Sequence, residues 1–114
     1  MYDYDTFEIG NASISPTAAA LGYNNSGTLT VPSNYRLKLR NVQITNSGTV
    51  GATALIQKIG AGGTITIANP GIAAGATWPN NGESPEYVIE SGYYLVASIT
   101  TSGAIFATGE FIPE

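Results

Sequence analysis

The sequence contains no cysteine and no histidine, and only 11% of its residues are charged. Each shortage excludes something. Without cysteine there is no disulfide framework and no thiolate chemistry. Without either residue, a Ser-His-Asp triad, a Cys-His pair and a zinc site of the usual kind all fail on inventory. Soluble globular proteins carry about 25% charged residues. A surface this poor in charge suits a chain that packs against copies of itself or against partners; a robust monomeric β-domain is the alternative. Four basic residues against eight acidic ones give a formal net charge of −4, which disfavours a general nucleic-acid binder. No window approaches the roughly 18 consecutive apolar residues of a transmembrane helix. The opening MYDYDTFEIG has neither the basic nor the apolar region of a secretory signal.

Helical periodicity is scarce as well. The best candidate is TAAALG, Thr17 to Gly22, a segment too short to stand alone and bounded by Pro16 and Gly22. The remainder alternates or runs apolar in short stretches between Gly, Asn, Ser and Pro clusters, as many short strands do. Strands are expected near Tyr2–Ile9, Ala12–Ser15, Gly27–Val31, Tyr35–Asn46, Ala52–Ile59, Thr64–Ala68, Ala76–Trp78, Glu86–Glu90, Tyr93–Thr100 and Ala104–Ile112. Turn residues separate them at NNSG (Asn24 to Gly27), NSG (Asn46 to Gly48), GAGG (Gly60 to Gly63), NPG (Asn69 to Gly71) and NNG (Asn80 to Gly82). TTSG, Thr100 to Gly103, joins two strongly alternating runs and reads as a tight hairpin. The odd residues of both arms, Tyr93 to Ile99 and Ile105 to Phe111, are apolar or small and are expected in the core. Ten such strands with Gly-rich turns in 114 residues predict a single all-β domain. The expected architecture is a two-sheet antiparallel sandwich of jelly-roll or immunoglobulin-like topology, with residues 1–10 able to leave it as an arm.

The stretch YRLKLRNVQITN, Tyr35 to Asn46, holds three of the four basic residues. Arg36, Lys38 and Arg40 share one face of an extended strand. Leu37 and Leu39 are odd whereas Val42 and Ile44 are even, so one regular strand cannot bury all four. A β-bulge near Arg40–Asn41, or a bend between sheets, resolves the conflict. The stripe then faces either water or a neighbour. Glu83, Glu86 and Glu90 form the main acidic cluster and, opposite the stripe of a second copy, would fix the register of an interface. The plainer reading is a polar loop.

Catalytic signals are few. GAGG neither opens a helix nor precedes Lys-Ser/Thr, so it is no phosphate loop. Two-carboxylate hydrolysis is the surviving enzyme class, but the eight acidic residues lie mostly in turns or near the termini. Asp3 and Asp5 share a strand face, yet no loop supplies the six to eight oxygens that calcium takes. The chain therefore reads as a non-enzyme without cofactor or metal. Its aromatic residues, Trp78 and seven tyrosines, suit either a sugar-stacking platform or protein contacts. Trp78 itself reads as a loop contact residue or as a plug at the end of the sandwich.

From Gly27 onward the order of signals resembles that of a known group. VPSNYR (Val31 to Arg36) leads into LRNVQITNSGT (Leu39 to Thr49), then an alternating strand, then IAAGATW (Ile72 to Trp78). The chain closes with YVIESGYYLVASITTSGAIFATGEFI (Tyr87 to Ile112), in which Glu90-Ser91-Gly92 turns the chain into its final two strands. This is similar to the small β-sandwich structural modules of tailed phages and related virions: capsid decoration or cement proteins, head fibres, and tail or baseplate accessory modules. The resemblance covers about 85 of the 114 residues and rests on the order of short signals. It implies a virion part assembled in the host cytoplasm, bound to a major capsid protein or another virion protein. It also implies a homo-oligomer, a trimer before other rings, and no nucleic-acid or membrane partner. The interface residues expected on this reading are Tyr2, Tyr4 and Phe7 in the N-terminal segment, the stripe Arg36, Lys38 and Arg40, and Trp78, Glu83 and Glu86. A tail or fibre accessory module and a non-catalytic carbohydrate-binding module are the alternatives.

Overall fold

The computed structural model describes residues 6–24, 26–79 and 85–114, and these form strands and turns with no helix. In chain order the strands are β1 (Thr6–Ile14), β2 (Ala19–Ala20), β3 (Gly22–Tyr23), β4 (Tyr35–Asn46), β5 (Ala52–Gly60), β6 (Gly63–Ala68), β7 (Gly71–Ile72), β8 (Thr77–Trp78), β9 (Tyr87–Ile89), β10 (Tyr94–Ile99) and β11 (Gly103–Pro113). They make two antiparallel sheets packed as a sandwich. The first runs β3-β1-β11-β4, with β8 and β9 both alongside β4. The second runs β2-β10-β5-β6, with β7 also paired to β5.

Period-two alternation sends one face of every long strand into a single core. Leu37, Leu39, Ile44, Ile105 and Phe111 from the first sheet meet Ala54, Ile56, Leu95, Ala97 and Ile99 from the second. Each large aliphatic side chain so buried contributes about 1.5–3 kcal/mol relative to exposure. The parity conflict within β4 is resolved by a bulge. Arg40 pairs with Thr108 and Gln43 with Phe106, so Asn41 and Val42 share the place opposite Ala107. Asn41 takes φ 53°, a left-handed value that asparagine tolerates better than most residues. Val42 and Ile44 thereby rejoin Leu37 and Leu39 on the buried face.

The expected hairpin at Thr100–Gly103 is instead a crossing between sheets. β10 pairs with β2 and β5, whereas β11 pairs with β1 and β4. The odd residues Leu95, Ala97, Ile99, Ile105, Ala107 and Phe111 are buried as expected. Alternation reveals which face turns inward but not which sheet a strand joins. Within a few residues the chain changes partner: Thr100 N donates to Thr53 O at 3.1 Å, and Ser47 N donates to Ser102 O at 2.8 Å. The corner is tight, since a Cβ on Gly103 would sit 2.0 Å from the Thr45 carbonyl oxygen.

Three further expectations are corrected. Thr17–Gly22 is not helical; Ala19 and Ala20 pair with β10, and Gly22 pairs with Gly10 of β1. A six-residue helix has too few internal bonds to offset its nucleation, whereas two sheet edges satisfy this backbone directly. Gly27–Val31 forms no continuous ladder. It is held by single bonds, Leu29 N to Leu21 O at 3.1 Å and Val31 N to Tyr93 O at 2.9 Å. The separate strands expected before and after Gly10 are one strand, β1, whose pairing with β11 is irregular between Asn11 and Ile14. Residues 6–10, read as part of an arm, lie within that strand.

Candidate interaction site

The two outer faces of the sandwich differ in chemistry. On the first sheet, burial of Leu37 and Leu39 turns Arg36, Lys38 and Arg40 outward. Register sets Glu110 of β11 opposite Lys38, and Thr108 opposite Arg40. Arg40 Nη2 lies 2.6 Å from Glu110 Oε1, and Lys38 Nζ lies 3.7 Å from Glu86 Oε1. Glu8 of β1 faces Thr108 from the other side. Acids of the same chain thus interleave with the basic stripe, and Arg36 is left exposed at its end.

The acidic cluster is likewise engaged within the chain. Glu86 meets Lys38, and Glu90 Oε1 accepts a 2.6 Å hydrogen bond from Lys58 Nζ. That bond, followed by a backbone hydrogen bond, holds the Glu90 carboxyl below the ordinary carboxylate range. The Lys58 ammonium also stands 5.3 Å from the centre of the Tyr93 ring, within cation–π reach. Glu83, Tyr2 and Tyr4 lie outside the described residues, as do Asp3 and Asp5.

The outer face of the second sheet carries no charge. Its outward positions follow from the register. Leu55, Gln57 and Ile59 of β5 stand opposite Ser98, Val96 and Tyr94 of β10. Thr64 and Thr66 of β6 flank Ile59 and Gln57 on one side, and Ala20 of β2 flanks Val96 on the other. Lys58, the one charged residue of β5, has the opposite parity. Half-buried Leu55, Ile59 and Tyr94 surround the central pair of Gln57 and the buried Val96, and threonine and serine edge this uncharged face.

Two hollows and an aromatic cluster lie elsewhere. A shallow groove of about 430 Å³ follows the β4 bulge on the first sheet, lined by Thr6, Glu8, Asn41, Gln43, Phe106 and Thr108 among others. Phe7 stacks at 5.1 Å between centroids on both Tyr23 and Phe111, and Tyr35 meets Phe111 at 6.1 Å. A hollow of about 300 Å³ opens beside this cluster, lined by Tyr23, Leu29, Thr30, Pro32 and Phe111. Trp78 is half-buried against the core and stands opposite Ile44 of β4. Tyr23 lies in β3, Tyr35 in β4, Tyr87 in β9 and Tyr94 in β10, with Tyr93 just before it. No group of three or more potential metal-ligating side chains occurs among the described residues. No helix among them is long and apolar enough to cross a membrane.

Two features escape a reading of motifs. The charge-free face was visible in the sequence as the alternate residues of Leu55–Ile59 and Tyr94–Ser98, none of which is Asp, Glu, Lys or Arg. Asn46 had no such signal. It closes β4, is fully buried, and binds three separate loops through its side chain. Comparison of the chain with protein-family models and with characterised protein sequences finds no match.

Proposed function

We propose that this chain is a non-catalytic structural protein of a virion, a decoration or cement protein that binds the capsid exterior and reinforces it. The observation that carries the reading is the asymmetry of the sandwich. Glu8, Arg36, Lys38, Arg40 and Glu110 crowd one outer face, whereas the other mixes apolar with uncharged polar residues and has no Asp, Glu, Lys or Arg. A face of that composition sheds water at little electrostatic cost, since it has no charge to desolvate. Attachment to a lattice needs only weak individual contacts, because many copies multiply them. The acidic surface as a whole and the internal pairing of the basic stripe leave nucleic acid as a poor partner. A tail or fibre accessory module would use the same face against a different virion protein.

The groove at the β4 bulge favours one second reading. Half-buried Phe106, ringed by amide, hydroxyl and carboxylate groups, is suited to a sugar, as in a non-catalytic carbohydrate-binding module.

Reconstitution tests the first reading. Purified particles stripped of the protein are incubated with the wild type and with a Leu55→Glu, Gln57→Glu double variant. The wild type is expected to rebind and raise the temperature at which the heads open, and the double variant to stay in the supernatant while melting like the wild type. Equal binding by both proteins would overturn the assignment of the face, and no binding by either would overturn the virion reading. Glycan-array binding lost on Phe106→Ala would establish the second reading instead.

A further inference from the structure

Sheet edges are where β proteins join one another, and natural sandwiches guard them with short strands, charges or proline. Most edges here are guarded by brevity: β2, β3, β7 and β8 have two residues each and β9 has three. β6 is the exception. It is a six-residue edge strand, GTITIA, with no charge and no proline, and Thr64, Ile65 and Thr66 are all exposed. We propose that β6 is a self-association edge, through which two copies of this chain pair antiparallel about a twofold axis at Ile65.

The register makes that edge self-complementary. Gly60 and Gly63 close a two-residue turn, and the pairs Ile59–Thr64, Lys58–Ile65 and Gln57–Thr66 follow. The closing pair of such a turn is hydrogen-bonded, so bonding alternates from it: Gly63 and Ile65 direct their N–H and C=O groups at β5. Thr64 and Thr66 direct theirs away from β5, to the open side. A second β6 arriving antiparallel sets Thr64 against the partner subunit's Thr66, and Thr66 against the partner subunit's Thr64. Each of these pairs exchanges two backbone hydrogen bonds. Ile65, 41% exposed, then faces its own copy across the axis at a non-hydrogen-bonded position, where side chains come closest.

No residue of β6 itself is charged. The nearest cation, Lys58, is one strand inward, so the two lysines would be three strand spacings apart, about 14 Å. That exceeds the screening length of about 8 Å at physiological salt. The joined sheets would also double the charge-free outer face, because Thr64 and Thr66 lie at its rim. The pairing stands on the edge geometry alone and does not depend on the virion reading. It replaces the trimer implied by the resemblance with a dimer, since an antiparallel self-complementary edge generates a twofold axis.

A seam centred on three residues is far smaller than a standard interface of about 1,600 Å², so the dimer is expected at high concentration, up to about 1 mM. Light scattering and amide NMR over a dilution series test it on the intact chain. The mass is expected to double, with the Thr64 and Thr66 amide signals moving with concentration and the Ile65 amide, directed at β5, moving least. Ile65→Lys and Ile65→Glu each set like charges face to face. Each is expected to weaken dimerisation several-fold, about fivefold at the strong end of such pairs; an equimolar mixture of the two is expected to restore it. That rescue separates a lost contact from a damaged fold. A monomer at every concentration with unmoved Thr64 and Thr66 signals would overturn the proposal. So would a dimer or trimer that is indifferent to charge at Ile65.

Discussion

Replacing Asn46 with alanine removes the polar hub at one end of the sandwich, and its cost can be worked from the hydrogen bonds. The side-chain amide donates to Val50 O at 2.9 Å, Ile72 O at 3.0 Å and Ala73 O at 3.3 Å. Its Oδ1 accepts from Gly48 N at 2.9 Å and from Thr101 Oγ1 at 2.6 Å. Two hydrogens and two lone pairs are thus fully used, the whole capacity of an asparagine. At about 1 kcal/mol net per bond the loss is about 4 kcal/mol. The Ile72 carbonyl lies in buried surroundings and adds a desolvation cost, whereas the loop groups nearer the surface can recover water. A domain of this size loses about 0.24 kcal/mol of stability per degree near its midpoint, so the melting temperature should fall by roughly 15 °C.

Urea unfolding followed by tryptophan fluorescence measures the loss, with Asn46→Asp as a near-isosteric control. Aspartate keeps the acceptor for Gly48 and Thr101 but turns a carboxylate toward three carbonyl oxygens. At neutral pH it should be at least as damaging as alanine. The fold then favours the protonated acid, so the folded pKa of this carboxyl is raised. Stability under that condition is fully present below the unfolded pKa and is lost as pH rises through the folded one. The aspartate variant should therefore recover in acid relative to the alanine variant. An alanine variant that loses less than about 1 kcal/mol, or an aspartate variant that tracks it across pH, would refute the hub.

Gly103→Ala should cost about 3 kcal/mol or more, because its Cβ would meet the Thr45 carbonyl oxygen in the sheet rather than a movable side chain. Gly71→Ala, with nothing near its added carbon, should stay within about 0.5 kcal/mol in the same urea assay. Glu90 has a depressed folded pKa, so its contribution is present above the ordinary carboxylate pKa and lost as pH falls through the folded value. That contribution is small, since the carboxyl is half exposed; Glu90→Gln should flatten the acid limb of the stability curve slightly. Arg40→Ala should cost less than about 1 kcal/mol despite its 2.6 Å bridge, because both partners are partly exposed to screening solvent.

Where the sequence could be read, the reason was a pattern that one strand enforces on itself. The boundaries of β4 and its bulge follow from the parity of Leu37, Leu39, Val42 and Ile44 alone. The inward faces of β10 and β11 follow in the same way. What failed needed knowledge of a second strand. The crossing at Gly103 and the strand pairing of Ala19–Ala20 depend on which neighbour takes the backbone bonds, and local alternation carries no such information. The pairing of Glu86 with Lys38 and of Glu90 with Lys58 is hidden for the same reason: both join residues more than thirty positions apart. Asn46 was legible only as a turn residue. Its burial becomes visible once the 46–50, 72–73 and 101 loops are known to converge.

The scarcity of charge is therefore distributed, not uniform. Alternation with the buried Leu37 and Leu39 puts the whole basic stripe, which precedes the bulge, on one outer face beside the acids that partner it. β5 and β10 have no Asp, Glu, Lys or Arg at any outward position, so the second sheet cannot acquire a charged face by local rearrangement. A one-residue slip of β5 would exchange the parity of Lys58, which would turn Ala54 and Ile56 out of the core. Core packing and the character of the outer face are thus set by the same register. A substitution that charges the outer face, such as Gln57→Glu, should leave stability nearly unchanged because Gln57 is half-buried on the outward parity of β5. Its effect should be read only in assembly. If such a variant melted several degrees lower while assembling normally, the face would be structural and the separation between core and contact surface would be wrong.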